Sequence, residues 1–290
     1  MIYEIKADRL SIKVSSKGAE LQSMKRQDGT ELLWQGDAKY WDGQSPLLFP
    51  FPGKSWDNKL RIDGAEYTMP KHGFASNMEF EMTQQEGNSI TFRLTDTKET
   101  YEMYPYHFVL EVTYTIVGSS LNVSWKVTNR NTGMMYFMIG AHPAFNLPDF
   151  RAKDKIHGYI CTMDAPDMQS NVVLPDGYCH DEMETVVLED GLLPITNTTF
   201  DCDTILDQTG RFREIILTGK HKEPLVRVNF HMPVLAIWAP NGGNAPFVCI
   251  EPWHGICDRF NDPRKLKDRN HIISITAGDT WSHTYTITAI

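Results

Sequence analysis

Glu251 closes the apolar run Phe247-Val248-Cys249-Ile250 and is followed at once by Pro252 and Trp253. An acid at the end of a buried strand lies between core and solvent. Partial desolvation raises a carboxyl pKa toward the range of a general base at neutral pH. Two histidines repeat this placement. The apolar run Tyr136–Ala141 ends at His142-Pro143, and Tyr67-Thr68-Met69-Pro70-Lys71 leads into His72-Gly73-Phe74. Imidazole titrates near neutrality, so it can hand a proton to a reacting oxygen. A base and an acid on opposite sides of a small polar molecule form a proton-transfer pair. Trp238 and Trp253 could lay flat apolar faces beside Glu251. Each residue also has a plainer reading: a solvated strand-end acid flanked by core tryptophans, and two structural histidines. Three matching placements weigh against it.

Other chemistries find little support. The chain has no HExxH, CxxC or DxDxDG pattern, so no metal is expected. The remaining histidines are scattered, and no GxSxG elbow is present. Gly242-Gly243 precedes a strand, where a phosphate cradle requires a helix. The 290 residues are 41% hydrophobic and 22% charged, the composition of an ordinary globular protein. A net charge of −9 argues against nucleic acid or an anionic membrane as the main partner. No apolar run approaches the ~20 residues that span a bilayer. MIYEIKADRL lacks the charged-then-apolar pattern of a secretion signal, and five widely spread cysteines suggest reduced thiols. The expectation is a cytoplasmic protein, monomer or homodimer.

The elements that must carry these residues read as strands. Phe108, Leu110, Val112, Tyr114 and Ile116 alternate with other residues, and Leu121, Val123, Trp125 and Val127 do so after Gly118-Ser119-Ser120. They predict two long antiparallel strands with one buried face. Asp63-Gly64 and Glu86-Gly87-Asn88 predict two further hairpins, and Pro240 to Pro246 separates a third, Leu235–Trp238 with Phe247–Ile250. Pro252 should end that last strand, because it cannot donate to a ladder. Met134–Ala141 is apolar throughout and should be buried on both faces. Three prolines between Pro46 and Pro52 predict an ordered loop over the core within Tyr40–Trp56. Asp149–Asn197 is polar and aperiodic, which predicts loops and short edge pieces. No window predicts a helix. The expected architecture is all-β, one domain over residues 1–290, a large antiparallel β-sandwich.

Several segments together resemble the aldose 1-epimerase (galactose mutarotase-like) family, within it the subgroup of LacX-type proteins. They are Pro46–Lys54, Lys71-His72-Gly73-Phe74-Ala75, Tyr104–Phe108, Gly140–Asn146, Phe200–Asp203 and Phe247–Trp253. The resemblance implies a supersandwich with a groove on one sheet, and a small-molecule sugar interconverted between anomers without a cofactor. It implies Glu251 as the base at the C1 hydroxyl, His142 as the acid at the ring oxygen and His72 as a second imidazole near them. It implies Asp203 as an acid binding sugar hydroxyls, and Lys54 as a further binding position. Two positions depart from the family pattern: Lys54 and Ser76 stand where arginine is usual. Lysine supplies a point charge in place of a planar fork. The alternatives are a weakly catalytic or non-catalytic carbohydrate-binding protein on the same scaffold, and a hexose-6-phosphate 1-epimerase.

Overall fold

The computed structural model describes every residue except Pro175. Two large antiparallel sheets dominate it. The nine-stranded sheet runs Leu192–Ile195, Gly158–Cys161, Glu214–Gly219, Pro224–Asn229, Thr280–Ala289, Ser120–Asn129, Phe108–Val117, Ser89–Thr95 and Glu81–Glu86. The eight-stranded sheet runs Cys179–Val187, Asp167–Val173, Thr204–Asp207, Val234–Trp238, Phe247–His254, Ile139–Ala141 and Leu47–Leu48, and Ala144–Asn146 also pairs with Phe247–His254. A three-stranded sheet of Ile2–Ala7, Leu10–Ser15 and Leu21–Arg26 completes the framework. This is the antiparallel all-β architecture expected from the sequence. Among the described residues, no helix is long and apolar enough to cross a membrane.

The two large sheets bury their strands differently. In Phe108–Val117 the alternation is regular: Phe108, Leu110, Val112, Tyr114 and Ile116 are buried and the residues between them are not. On the outer face hydroxyls bond across strands, Thr91 to Thr113 at 2.9 Å, Ser89 to Thr115 at 2.9 Å and Ser124 to Thr284 at 2.8 Å. Such polar cross-strand pairs let one face stay wet. Phe247–His254 is instead buried on both faces up to its last residue. Val248 and Ile250 join Leu235 and Ile237 in the main core. Phe247, Cys249 and Trp253 point the other way, into two smaller clusters that include Ala144, Ala245 and Ala236. Strand alternation therefore puts Glu251 on this second, enclosed face.

Three expectations need correction. Phe247–His254 continues through Pro252. Ile250 donates its N–H to Pro143 O at 3.3 Å, so the nitrogen of Pro252, two residues on, faces the same side. There Ala144–Asn146 has already ended, and Ile139–Ala141 starts pairing only at Trp253. The missing N–H thus meets a corner of the neighbouring chain and breaks no ladder bond. Second, Asp149–Asn197 holds real strands, including the nine-residue Cys179–Val187. That strand lies at the sheet edge and is exposed along most of its length, so no apolar alternation marks it. Third, Lys98–Met103 is a helix, capped by Thr97, whose hydroxyl accepts from Thr100 N while Thr100 answers at Thr97 N. Six residues are too few to display a period.

The remaining local readings hold with small adjustments. Met135 and Phe137–Ala141 are buried, whereas Met134 is exposed. The proline-rich loop is ordered, with Phe49 and Phe51 fully buried and Leu47–Leu48 forming the sheet's edge strand. The five cysteines are free, and Cys179 Sγ lies 2.9 Å from Cys257 Sγ.

Candidate active site

Glu251 stands opposite Ala236 in the strand register, and Trp253 lies two residues on, on the same face. The indole of Trp253 rests on Gly140, where an added Cβ would come within 2.4 Å of its Cδ1. Its Nε1 donates to Ala141 O at 3.2 Å. His142 occupies the corner between Ile139–Ala141 and Ala144–Asn146. Its ring stacks on Trp41, with centroids 4.9 Å apart, and meets Trp238 edge-on at 5.7 Å. His142 Nε2 is 3.3 Å from Glu251 Oε2, and both side chains are almost fully buried.

Burial governs both groups. It pushes the Glu251 carboxyl well above the usual carboxylate range; the nearby Asp203 charge adds to this and Lys71 opposes it. Burial also pushes the His142 imidazole down to about 3. Burial thus favours the uncharged form of each group. Glu251 Oε2 and His142 Nδ1 are buried without a hydrogen-bond partner. Unpaired buried polar atoms are costly unless something else meets them.

His72 approaches from another loop, its ring centroid 5.5 Å from that of His142 and nearly perpendicular to it. Its Nδ1 accepts the Gly53 N–H at 3.0 Å, and its own N–H donates to Gly53 O at 2.7 Å. An accepting Nδ1 leaves the ring hydrogen on Nε2, so the neutral ring is a donor at its free end. Burial, then the charges of His142 and Lys71, hold its pKa well below the usual histidine range. His72 has φ 66° and Asp203 has φ 66°, a left-handed backbone that side chains other than glycine adopt sparingly and that recurs at functional sites. The Gly53 loop is itself pinned: Asp258 N donates to Lys54 O at 2.9 Å, and Asp258 forms a buried two-pronged pair with Arg269 at 2.6 and 2.5 Å.

These side chains face one cavity of about 700 Å³. Glu251, His142, His72, Asp203, Trp238 and Trp253 all line it, and the exposed Lys17, Lys71 and Asn77 border it toward solvent. Asp203 Oδ1 accepts the Trp238 indole N–H at 3.0 Å, which fixes both on the wall. Lys54 is elsewhere. Its ammonium donates to Asp176 O at 3.0 Å and sits over the Tyr178 ring at 4.5 Å, and it is not among the lining residues. Ser76, the other position where the resemblance implies arginine, does line the cavity. Two contributors escaped the sequence reading. Trp41 comes from the aromatic loop, anchored by the Trp34 indole donating to its carbonyl at 2.8 Å. Lys71 precedes His72, and its charge lowers the pKa of His72, His142 and Glu251 alike.

A model of the aldose 1-epimerase family matches residues 1–288. The chain belongs to the aldose 1-epimerase family. Protein LacX of Lactococcus lactis subsp. lactis, in its chromosomal form, is 31% identical over 307 residues that cover both chains completely. The structure of a galactose mutarotase related enzyme from Lactobacillus acidophilus matches with a TM-score of 0.90 at 27% identity, over 100% of this chain and 97% of that one. A galactose mutarotase-like protein from Lactobacillus casei matches with a TM-score of 0.92 at 26% identity over the whole of both chains.

In this aldose 1-epimerase family member, the groups present can transfer protons within an aromatic-walled cavity. Glu251 and His142, 3.3 Å apart, can each pass a proton to or from a molecule in the cavity. His72 can donate, and Asp203 can accept. Cys249, two residues before Glu251 and on the same face, adds a thiol; with His142 and Glu251 it places sulfur, nitrogen and oxygen atoms within 4.8 Å of one another.

Proposed function

We propose that the protein is an aldose 1-epimerase that interconverts the α and β anomers of a hexose or a closely related aldose. The observation that carries this reading is the Glu251–His142 pair, 3.3 Å apart and buried at the wall of a cavity open to solvent. Glu251, as carboxylate, takes the proton of the C1 hydroxyl, and His142, as imidazolium, protonates the ring oxygen. The C1–O5 bond breaks and the aldehyde forms. That charge-separated form differs from the uncharged one only in the position of a single proton. Ring opening returns Glu251 to the acid and His142 to neutral imidazole, the state that burial favours. Rotation about C1–C2 and reversal of the steps deliver the other anomer. His72 Nε2–H donates to the ring oxygen or a neighbouring hydroxyl, and Asp203 accepts from sugar hydroxyls. Trp238, Trp253 and Trp41 pack against the apolar faces of the ring. Paired transfer with fixed positioning is enough for this reaction. Five free cysteines suit a reducing, cytoplasmic setting.

A second reading, a hexose-6-phosphate substrate, is favoured by Lys17 and Lys71, two exposed cations bordering the cavity. Saturation-transfer NMR or polarimetry over glucose, galactose and their 6-phosphates tests both readings. Anomer exchange should accelerate for at least one sugar, and His142→Ala should abolish the acceleration. Sugar binding with no acceleration for any of them would select a carbohydrate-binding protein.

A further inference from the structure

Glu251 and Cys249 project from the same face of Phe247–His254, and His142 reaches them from the corner of the adjoining strands. The three supply one oxygen, one sulfur and one nitrogen, all buried and no more than 4.8 Å apart. His142 Nε2 and Glu251 Oε2 approach to 3.3 Å, yet Oε2 has no hydrogen-bond partner. The two atoms thus approach without satisfying one another. Tetrahedral zinc holds nitrogen and oxygen at ~2.0–2.2 Å and sulfur at ~2.3 Å, which sets ligand atoms ~3.3–3.6 Å apart. The nitrogen–oxygen edge already has that length. The sulfur lies within 4.8 Å of both atoms.

We propose that His142, Cys249 and Glu251 form a zinc site, with its fourth position open to the cavity. Three mixed ligands plus one exchangeable position is the coordination of open zinc sites. The ligands sit on a strand and on the corner that strand pins, so little ordering is needed on binding. The ion displaces the Cys249 thiol proton, and the carboxyl proton of Glu251 where that is present, to buffer; sulfur is ligated as thiolate and nothing is oxidised or reduced. Affinity therefore rises with pH. The site stands on geometry alone and does not require the epimerase reading. If that reading also holds, zinc competes with sugar, because it occupies the two atoms that move the proton.

The experiment is calorimetric titration of the full chain with zinc at pH 7, together with cobalt titration followed in the near ultraviolet, where thiolate-to-cobalt charge transfer absorbs. The expected result is one ion per chain, a heat that varies with buffer ionisation as protons are released, and a charge-transfer band. Cys249→Ser should remove the band and weaken zinc by at least the ~10–100-fold that loss of even an outer partner costs. Cys257→Ser, which disturbs the neighbouring Cys179–Cys257 pair instead, should keep both. Inhibition of anomer exchange by zinc should disappear in Cys249→Ser. Should Cys249→Ser fail to fold, His142→Ala provides the second arm: zinc must weaken there too. A band that survives Cys249→Ser, or zinc affinity equal in wild type and both variants, would overturn the site.

Discussion

Two glutamates at strand positions, Glu111 and Glu251, meet opposite fates. Glu111 sits on the outer face of the nine-stranded sheet, where Arg93 reaches it at 3.1 and 2.8 Å and Lys126 at 3.2 Å. Partial burial raises its pKa, but the bonds and charges of Arg93 and Lys126 outweigh that and hold it below the usual range. Glu251 sits on the eight-stranded sheet, among Trp238, Trp253 and His142, with no lysine or arginine paired to it among the described residues. Burial wins there, and the carboxyl is pushed up. One residue type thus becomes a paired anion on a wet face and, in Phe247–His254, a buried carboxyl with a raised pKa on an enclosed one. The enclosure comes from strand pattern: alternating hydroxyls outside Phe108–Val117, continuous apolar residues through Phe247–Ile250.

The largest expected contrast is in rate. Glu251→Gln or His142→Ala should slow anomer exchange by ~10²–10⁴, the usual worth of a positioned acid or base. Glu111→Gln should leave it within about twofold. Next, His72→Ala should cost ~10–100-fold, since it removes one donor to a developing charge. A smaller loss from His72→Asn than from His72→Ala would sharpen the donor role. Both are read by saturation-transfer NMR.

Stability should separate the two glutamates with opposite signs. The folded pKa of Glu251 lies above its unfolded value, so the unfolded chain binds fewer protons once pH passes the ordinary carboxylate range. Stability then falls as pH rises from there toward the folded pKa. Glu251→Gln escapes this penalty and should melt higher than wild type at pH 7, with the gap closing near pH 4. Glu111 has a depressed folded pKa, so its contribution is present at neutral pH and lost as pH falls through that value. Glu111→Gln should lower stability at pH 7 by about 0.5 kcal/mol, as for other partly exposed ion pairs. Thermal unfolding across pH checks both. The smallest effect should come from Lys54→Ala, whose ammonium is committed to Asp176 and Tyr178. Sugar affinity should change by less than about twofold.

The same contrast explains what could be read in the chain. Glu251, His142 and His72 were legible because each closes or follows an apolar run and sits beside proline or glycine. The long hairpin of Phe108–Val117 with Ser120–Asn129 was legible because one face is wet and the other dry. Trp41 was not, since its stack on His142 spans 101 positions of chain and no local pattern encodes it. Lys71 looked like a neighbour of His72, and only the closure of the cavity gives its charge a role. The ligand set His142, Cys249 and Glu251 joins two segments and matches no linear metal motif. Cys179–Val187 hid as an exposed edge strand. Pro252 misled because its consequence depends on what lies opposite, which the linear order does not contain.

The most direct test is to follow the side-chain carboxyl carbons of the glutamates by ¹³C NMR as pH is raised, assigning two of them with Glu251→Gln and Glu111→Gln. The account expects the Glu111 signal to be that of a carboxylate already at the low end of the titration, and the Glu251 signal to remain that of a neutral acid well beyond it. Two signals that move together below the ordinary carboxylate range would contradict it.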